Sequence, residues 1–219
     1  GGMLSPGEFI PVVETSELIA PLTATVMQQG LALLSRAIEQ GLLAEEAFVA
    51  VNIAPQHLLS GTVPGLIERS LRQAALRPGN LKIEITETAL VANLEAAVEQ
   101  LNTVRKLGCK VAIDDFGTGY SSLEYLQVLP ADVLKLDRAF VNRIESSDKA
   151  FAIARTVCDL AGMLNLEVVA EGVEHRSQVA HLKRLGADYL QGFYFCRPLA
   201  PEHVDDWLRQ QGESDAETA

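Results

Sequence analysis

Cysteine is scarce in this chain. The three present, Cys109, Cys158 and Cys196, are an odd number without C-x-x-C spacing, which excludes a disulfide framework and a zinc cluster and favours a reducing, cytoplasmic setting. Long apolar runs are missing too: none approaches the ~18 residues that a membrane-spanning helix needs. The start, Gly1-Gly2-Met3-Leu4-Ser5-Pro6, lacks the basic segment and apolar stretch of a secretory signal. Positive charge is in the minority, with 18 Lys and Arg against 29 Asp and Glu, a formal net charge of −11. Such a chain does not attract a nucleic-acid polymer by its overall field, so any phosphate it handles requires a local reversal of sign by a metal ion or a helix N-terminus. Aromatics are only 5%, yet 48% of the 219 residues are apolar, enough aliphatic surface for a full core.

Short aliphatic strands alternate with amphipathic helices. The strands are expected at Phe48–Ala54, Leu81–Glu87, Lys110–Phe116, Asp132–Arg138, Leu166–Gly172 and Ala187–Gly192. An opening helix runs from about Ser16 to Gln40. A second carries Leu94, Ala97, Val98, Leu101 and Val104 on one face, with Asn93 as its cap and Gly108 as its left-handed end. Ile153, Ala154, Val157, Leu160, Ala161 and Leu164 form another stripe, and Val179, Leu182 and Leu185 a further one before Gly186. Residues 1–15 hold no convincing strand. The alternation implies a parallel sheet, open or closed into a (β/α)8 barrel.

Single polar residues sandwiched between aliphatics decide between these: Val51-Asn52-Ile53, Ile83-Glu84-Ile85 and Leu134-Lys135-Leu136. Strand side chains alternate, so the polar one faces away from the helices. In an open sheet that face would meet more helices; in a barrel it opens into the lumen. In chain order the strand ends carry Asn52, Glu84, Asp114-Asp115, Lys135, Glu171 and Gln191. Four carboxylates in one mouth need counter-charge beyond Lys135, and oxygen-only ligands favour Mg²⁺, Mn²⁺ or Ca²⁺. The glycine loop after Asp115 has G-x-G but Ser122 where a dinucleotide fingerprint has its third glycine, and two acids precede it, so a Rossmann reading is weak.

Together the motifs are specific. Asp114-Asp115-Phe116-Gly117-Thr118-Gly119-Tyr120-Ser121-Ser122, with Val51-Asn52-Ile53-Ala54-Pro55, Glu84-Ile85-Thr86-Glu87, Lys135-Leu136-Asp137, Ala170-Glu171-Gly172-Val173-Glu174, the run from Gln191 to Pro198 and Pro6-Gly7-Glu8-Phe9-Ile10-Pro11, resembles the EAL-domain cyclic di-GMP phosphodiesterases over residues 1 to 209. The resemblance implies a modified TIM barrel and hydrolysis of cyclic di-GMP to the linear guanylyl dinucleotide with a pair of Mg²⁺ or Mn²⁺ ions. Asn52, Glu84, Asp114 and Asp115 then resemble metal ligands. Lys135, Glu171 and Gln191 resemble the catalytic and water-ordering residues. Glu87 is similar to the acid that anchors the glycine loop of Gly117, Thr118 and Gly119. The resemblance also implies a homodimer, and family members often carry sensor or cyclase-like domains. A receptor that binds cyclic di-GMP without cleaving it is the alternative within the same fold.

The Glu-Ala-Leu segment that names the family has no counterpart here. Six strand units are visible where a closed barrel needs eight, so both the segment and the first strands are expected upstream of Gly1. The domain is expected to fill residues 1–209, with a flexible acidic tail over residues 210–219.

Overall fold

The computed structural model describes residues 5–87, 93–117 and 128–217. The chain opens with α1 (Pro6–Glu14), where no element is expected from the sequence. Pro6 suits the first helical turn, and the Glu8 carboxylate accepts a hydrogen bond from the Ser5 N–H at 2.9 Å. Next come α2 (Ile19–Glu39), β1 (Val49–Asn52), the short α3 (Pro55–Leu59) and α4 (Val63–Gln73). The middle holds β2 (Leu81–Thr86), α5 (Leu94–Lys106), β3 (Lys110–Phe116), β4 (Val133–Leu136) and the one-turn α6 (Arg138–Val141). After these lie α7 (Asp148–Leu164), β5 (Glu167–Glu171), α8 (Arg176–Arg184), β6 (Tyr189–Gln191) and α9 (Val204–Glu217). All six expected strands form, each trimmed to its hydrogen-bonded centre except β3, which keeps its expected ends. The boundary expected at residue 209 falls inside α9. That helix starts with Asp205 and Asp206 in its first turn, where carboxylates oppose the helix dipole.

Local chemistry accounts for the helix ends. The Asn93 side chain accepts from the Ala96 N–H at 3.3 Å, and Gly108 closes α5 at φ 96°. A side chain on Gly108 would press on Pro78 at 3.1 Å. Ser147 caps α7 through the Ala150 N–H, and Asn165 ends it in the left-handed region.

The six strands are parallel and lie in sequence order. On the outer face Val51, Ile83 and Ile85 pack with Met27 and Leu31 of α2 and Leu101 of α5. Ile113, Leu134, Leu136, Val168 and Ala170 pack with Ala154, Val157 and Ala161 of α7 and Leu182 of α8. The sheet is strongly curled. Five strand spacings of ~4.8 Å would put β1 and β6 about 24 Å apart if flat, yet the ring of Phe48, just before β1, lies 5.9 Å from that of Tyr189 in β6. Lys82 stands between them, 3.7 Å and 4.5 Å from the two ring centres. This is the curved, helix-clad sheet of a TIM-type barrel, with its concave face lined by the alternate strand residues.

Strand β3 departs from strict alternation. Ile113 pairs with Leu134 and Phe116 with Leu136, so one extra residue sits in β3. Asp115 takes φ 55° at this bulge. Ile113 and Phe116, three positions apart, therefore both reach the outer core, leaving Asp114 and Asp115 together at the strand end.

Candidate active site

The strand ends bring four side chains into direct contact. Lys135 of β4 is 3% exposed, and its Nζ lies 2.6 Å from Glu84 Oε2 of β2, 3.0 Å from Asp114 Oδ2 of β3 and 2.6 Å from Glu171 Oε1 of β5. Glu84 and Asp114 are themselves buried. The sequence alternation predicts this grouping, because Glu84 and Lys135 both leave the aliphatic face of their strands.

The charges are unevenly balanced. Burial raises the pKa of Glu84 above the usual carboxylate range, with Asp114 adding to the rise and Lys135 opposing it. Burial likewise raises Glu171, against the pull of Lys135 and with repulsion from Asp114 and Glu84. Burial alone would lower the Lys135 ammonium, but Glu84 and Glu171 outweigh it and the pKa is raised. One ammonium therefore faces three carboxylates, two of which stay short of compensation. Among the described residues no group of three or more His, Cys, Asp or Glu is spaced as a ready metal cage; the point the carboxylates face is held by Lys135 Nζ. The donor set nevertheless fits a hard divalent cation: the donors are oxygens, and their unbalanced charge is what such an ion relieves.

The other expected residues stand around this centre. Asn52 ends β1, exposed, in register with Glu84. Gln191 ends β6, exposed, in register with Glu171. Neither is bonded to the lysine cluster. Asp115 has its pKa raised by burial and by its neighbours Asp114 and Asp137. The Glu87 carboxylate accepts from the Gly117 N–H at 3.4 Å, and Phe140 flanks Gly117 on another side. Thr118 and Gly119 lie outside the described residues. One lumen cation escapes the sequence reading. Lys82 is 4% exposed, paired with Glu167 at 3.3 Å, and its pKa is lowered by burial against the pull of Glu167. Its signal was available in Leu81-Lys82-Ile83, the same sandwich as Ile83-Glu84-Ile85. A cavity of about 360 Å³ runs from Phe48, Lys82 and Tyr189 up to Glu84 and Gln191.

The description "EAL domain" matches residues 1–198. The chain belongs to the EAL-domain family. It is 38% identical over 210 residues to the cyclic di-GMP phosphodiesterase NbdA of Pseudomonas aeruginosa, covering 95% of this chain and 26% of that protein. Its structure matches that of the Pseudomonas aeruginosa MucR phosphodiesterase in complex with c-di-GMP, with a TM-score of 0.86 and 34% identity over 93% of this chain and 81% of that one. It also matches a manganese and cy-diGMP complex of Klebsiella pneumoniae BlrP1, with a TM-score of 0.78 and 32% identity over 90% and 49% of the two chains. This EAL domain spans 25% to 52% of the length of the curated relatives it matches. Among its described residues no helix is long and apolar enough to cross a membrane.

Proposed function

We propose that this EAL domain is a metal-dependent phosphodiesterase that opens cyclic di-GMP to the linear guanylyl dinucleotide. The observation that carries the reading is the convergence of Glu84, Asp114 and Glu171 on buried Lys135 at the strand ends. Asn52, Glu84, Asp114 and Asp115 are the residues that would hold Mg²⁺ or Mn²⁺. Bound there, the metal supplies charge neutralisation for the phosphate and acidifies water. Lys135 offers N–H donors to the attacking water or a phosphate oxygen, and its charge suits the anion that develops as the ring opens. Glu171 holds Lys135 and is placed to accept a proton. Gln191, next to Glu171 in register, orders the same water. One P–O bond breaks, water supplies the new oxygen on phosphorus, and the departing ribose oxygen leaves with a proton. The −11 charge of the chain is compatible with this, since local cations set the sign at the site. Attachment to other domains, pairing into a homodimer and a cytoplasmic location belong to the same proposal.

The test is turnover of cyclic di-GMP by the full-length protein with Mg²⁺ or Mn²⁺, read as release of the linear dinucleotide. Glu84→Gln should cut the rate by about two orders of magnitude or more. Nucleotide binding without turnover at saturating metal would replace the hydrolase by a receptor.

A further inference from the structure

The concave face of the sheet holds a second cluster of charge, below the one built on Lys135. It centres on Lys82 of β2, a lumen cation with no part in the proposed chemistry. Residues two positions apart on a strand point to the same side, so Lys82 and Glu84 both face the lumen, and both line the cavity of about 360 Å³. The Lys82 ammonium packs against the rings of Phe48 and Tyr189 and pairs with one carboxylate oxygen of Glu167 in β5. Lys110 of β3 pairs with the other oxygen. Burial would raise the Glu167 pKa, but Lys110 and Lys82 outweigh it and hold the carboxyl below its usual range. Glu167 is therefore ionised, and two ammonium groups share it.

The two clusters are out of balance in opposite senses. The upper one sets a single ammonium against Glu84, Asp114 and Glu171. The lower one sets two ammonium groups against one carboxylate. Between them the lumen is walled by Ala50, Ala112, Val133 and Val169, which contribute no counter-charge. The field of the lower cluster therefore reaches the upper one at a strength above its value in bulk water. Its effect is present at Glu84, whose pKa is raised by burial and pulled down by Lys135 and, to a smaller extent, by Lys82. A positive charge that favours the Glu84 anion also repels any cation held by the same carboxylates.

We propose that the cluster of Lys82, Glu167 and Lys110 sets the affinity of the strand-end carboxylates for their divalent cation, with Lys82 as a positioning residue that acts on Glu84 and its neighbours through space. The inference rests on the reading of Asn52, Glu84, Asp114 and Asp115 as the metal-holding residues. The test is equilibrium binding of Mn²⁺ alone to the full-length protein, by titration calorimetry without nucleotide. Lys82→Met removes a positive charge and should tighten Mn²⁺ binding by roughly 3- to 20-fold. Lys82→Arg keeps the charge and should stay near the wild-type affinity. Glu167→Gln removes the carboxylate of the lower cluster and should weaken binding by a similar factor. Damage to the barrel would weaken binding in every variant, so opposite signs in Lys82→Met and Glu167→Gln are the mark of a charge effect. Lys110→Met, at a side chain that is 43% exposed, should also tighten binding, and it takes the place of Lys82→Met if that variant does not fold. Unchanged affinity in these variants, or weakening in all of them, would overturn the inference while leaving the hydrolase reading intact. Opposite signs in a protein that does not cleave cyclic di-GMP would uphold the inference and remove the hydrolase reading alone. A wild-type protein that binds no Mn²⁺ would overturn the inference together with the metal-dependent reading.

Discussion

Lys135 shows how much one side chain decides here. It is buried, it touches three carboxylates from three strands, and no other described cation lies that close to them. Lys135→Met should lower kcat by about 10²- to 10⁴-fold, if the lysine acts in proton handling or charge stabilisation. It should also destabilise the fold, because removing one partner of a buried ion pair leaves the other charges uncompensated; thermal unfolding of the purified variant measures this. His57 makes the opposite case. It is buried on α3, its Nδ1 has no hydrogen-bond partner, and burial lowers its pKa. The unfolded chain therefore binds a proton more readily than the folded one. Stability is full above the unfolded value of ~6.5 and falls as pH drops through that value toward the folded pKa. His57→Leu should flatten this part of the stability–pH curve; an equally steep curve in the variant would clear His57 of the effect. Much of the residue-level site was legible because a charged residue between two aliphatics has one place to go on a curled sheet. What sequence could not supply was the focus. Nothing in the order of Glu84, Asp114 and Glu171 says that all three would touch Lys135 rather than one another.

At the scale of elements, the strands were the most legible part, since each is a short aliphatic run and alternation assigns its faces. The helix over Leu94–Lys106 was nearly as clear, with cap, stripe and terminal glycine all in place. Asn93→Ala should cost about 1 kcal/mol, measured by chemical denaturation. The shorter helices were hidden for physical reasons. α3 has five residues, too few to show a period, and α1 contains Pro11, a helix breaker by general rule. In α1 the signal that would have helped was Ser5-Pro6-Gly7-Glu8, the Ser-x-x-Glu spacing that marks a helix start ahead of an apolar run. The loops at the strand ends were legible as motifs but not as a packed unit. Their closeness depends on Gly192, where a methyl group would meet the Val173 backbone. Gly192→Ala should lower the melting temperature and weaken activity together, because Gln191 and the Glu171 loop must move apart to admit it. A variant with both properties intact would show that the loops are not locked in this way.

For the molecule as a whole, the concave face divides into two layers of charge. At the base Lys82, packed against the rings of Phe48 and Tyr189, shares Glu167 with Lys110; at the top Lys135 gathers the carboxylates. Chelation by EDTA should abolish turnover, and added Mn²⁺ or Mg²⁺ should restore it; activity that survives exhaustive chelation would sink the metal-dependent reading. The barrel class was legible because polar residues recur at the strand ends; the contact between Phe48 and Tyr189 was not, since it joins residues 141 positions apart.

The extra residue in β3 has one more consequence. Up to Ile113 the strand can be counted in twos, inward and outward; at Asp115 the count slips by one and resumes at Phe116. Length there matters as much as composition. Exchanging either aspartate alters one side chain, but deleting one residue would put the beat back in step, keeping Phe116 in the core and leaving one acid where two now stand. Inserting one residue would instead turn Phe116 toward the mouth, and the core would lose its ring. A family that keeps this chemistry is thus held to a residue count between Ile113 and Phe116, a constraint that insertions and deletions would expose and substitutions would not.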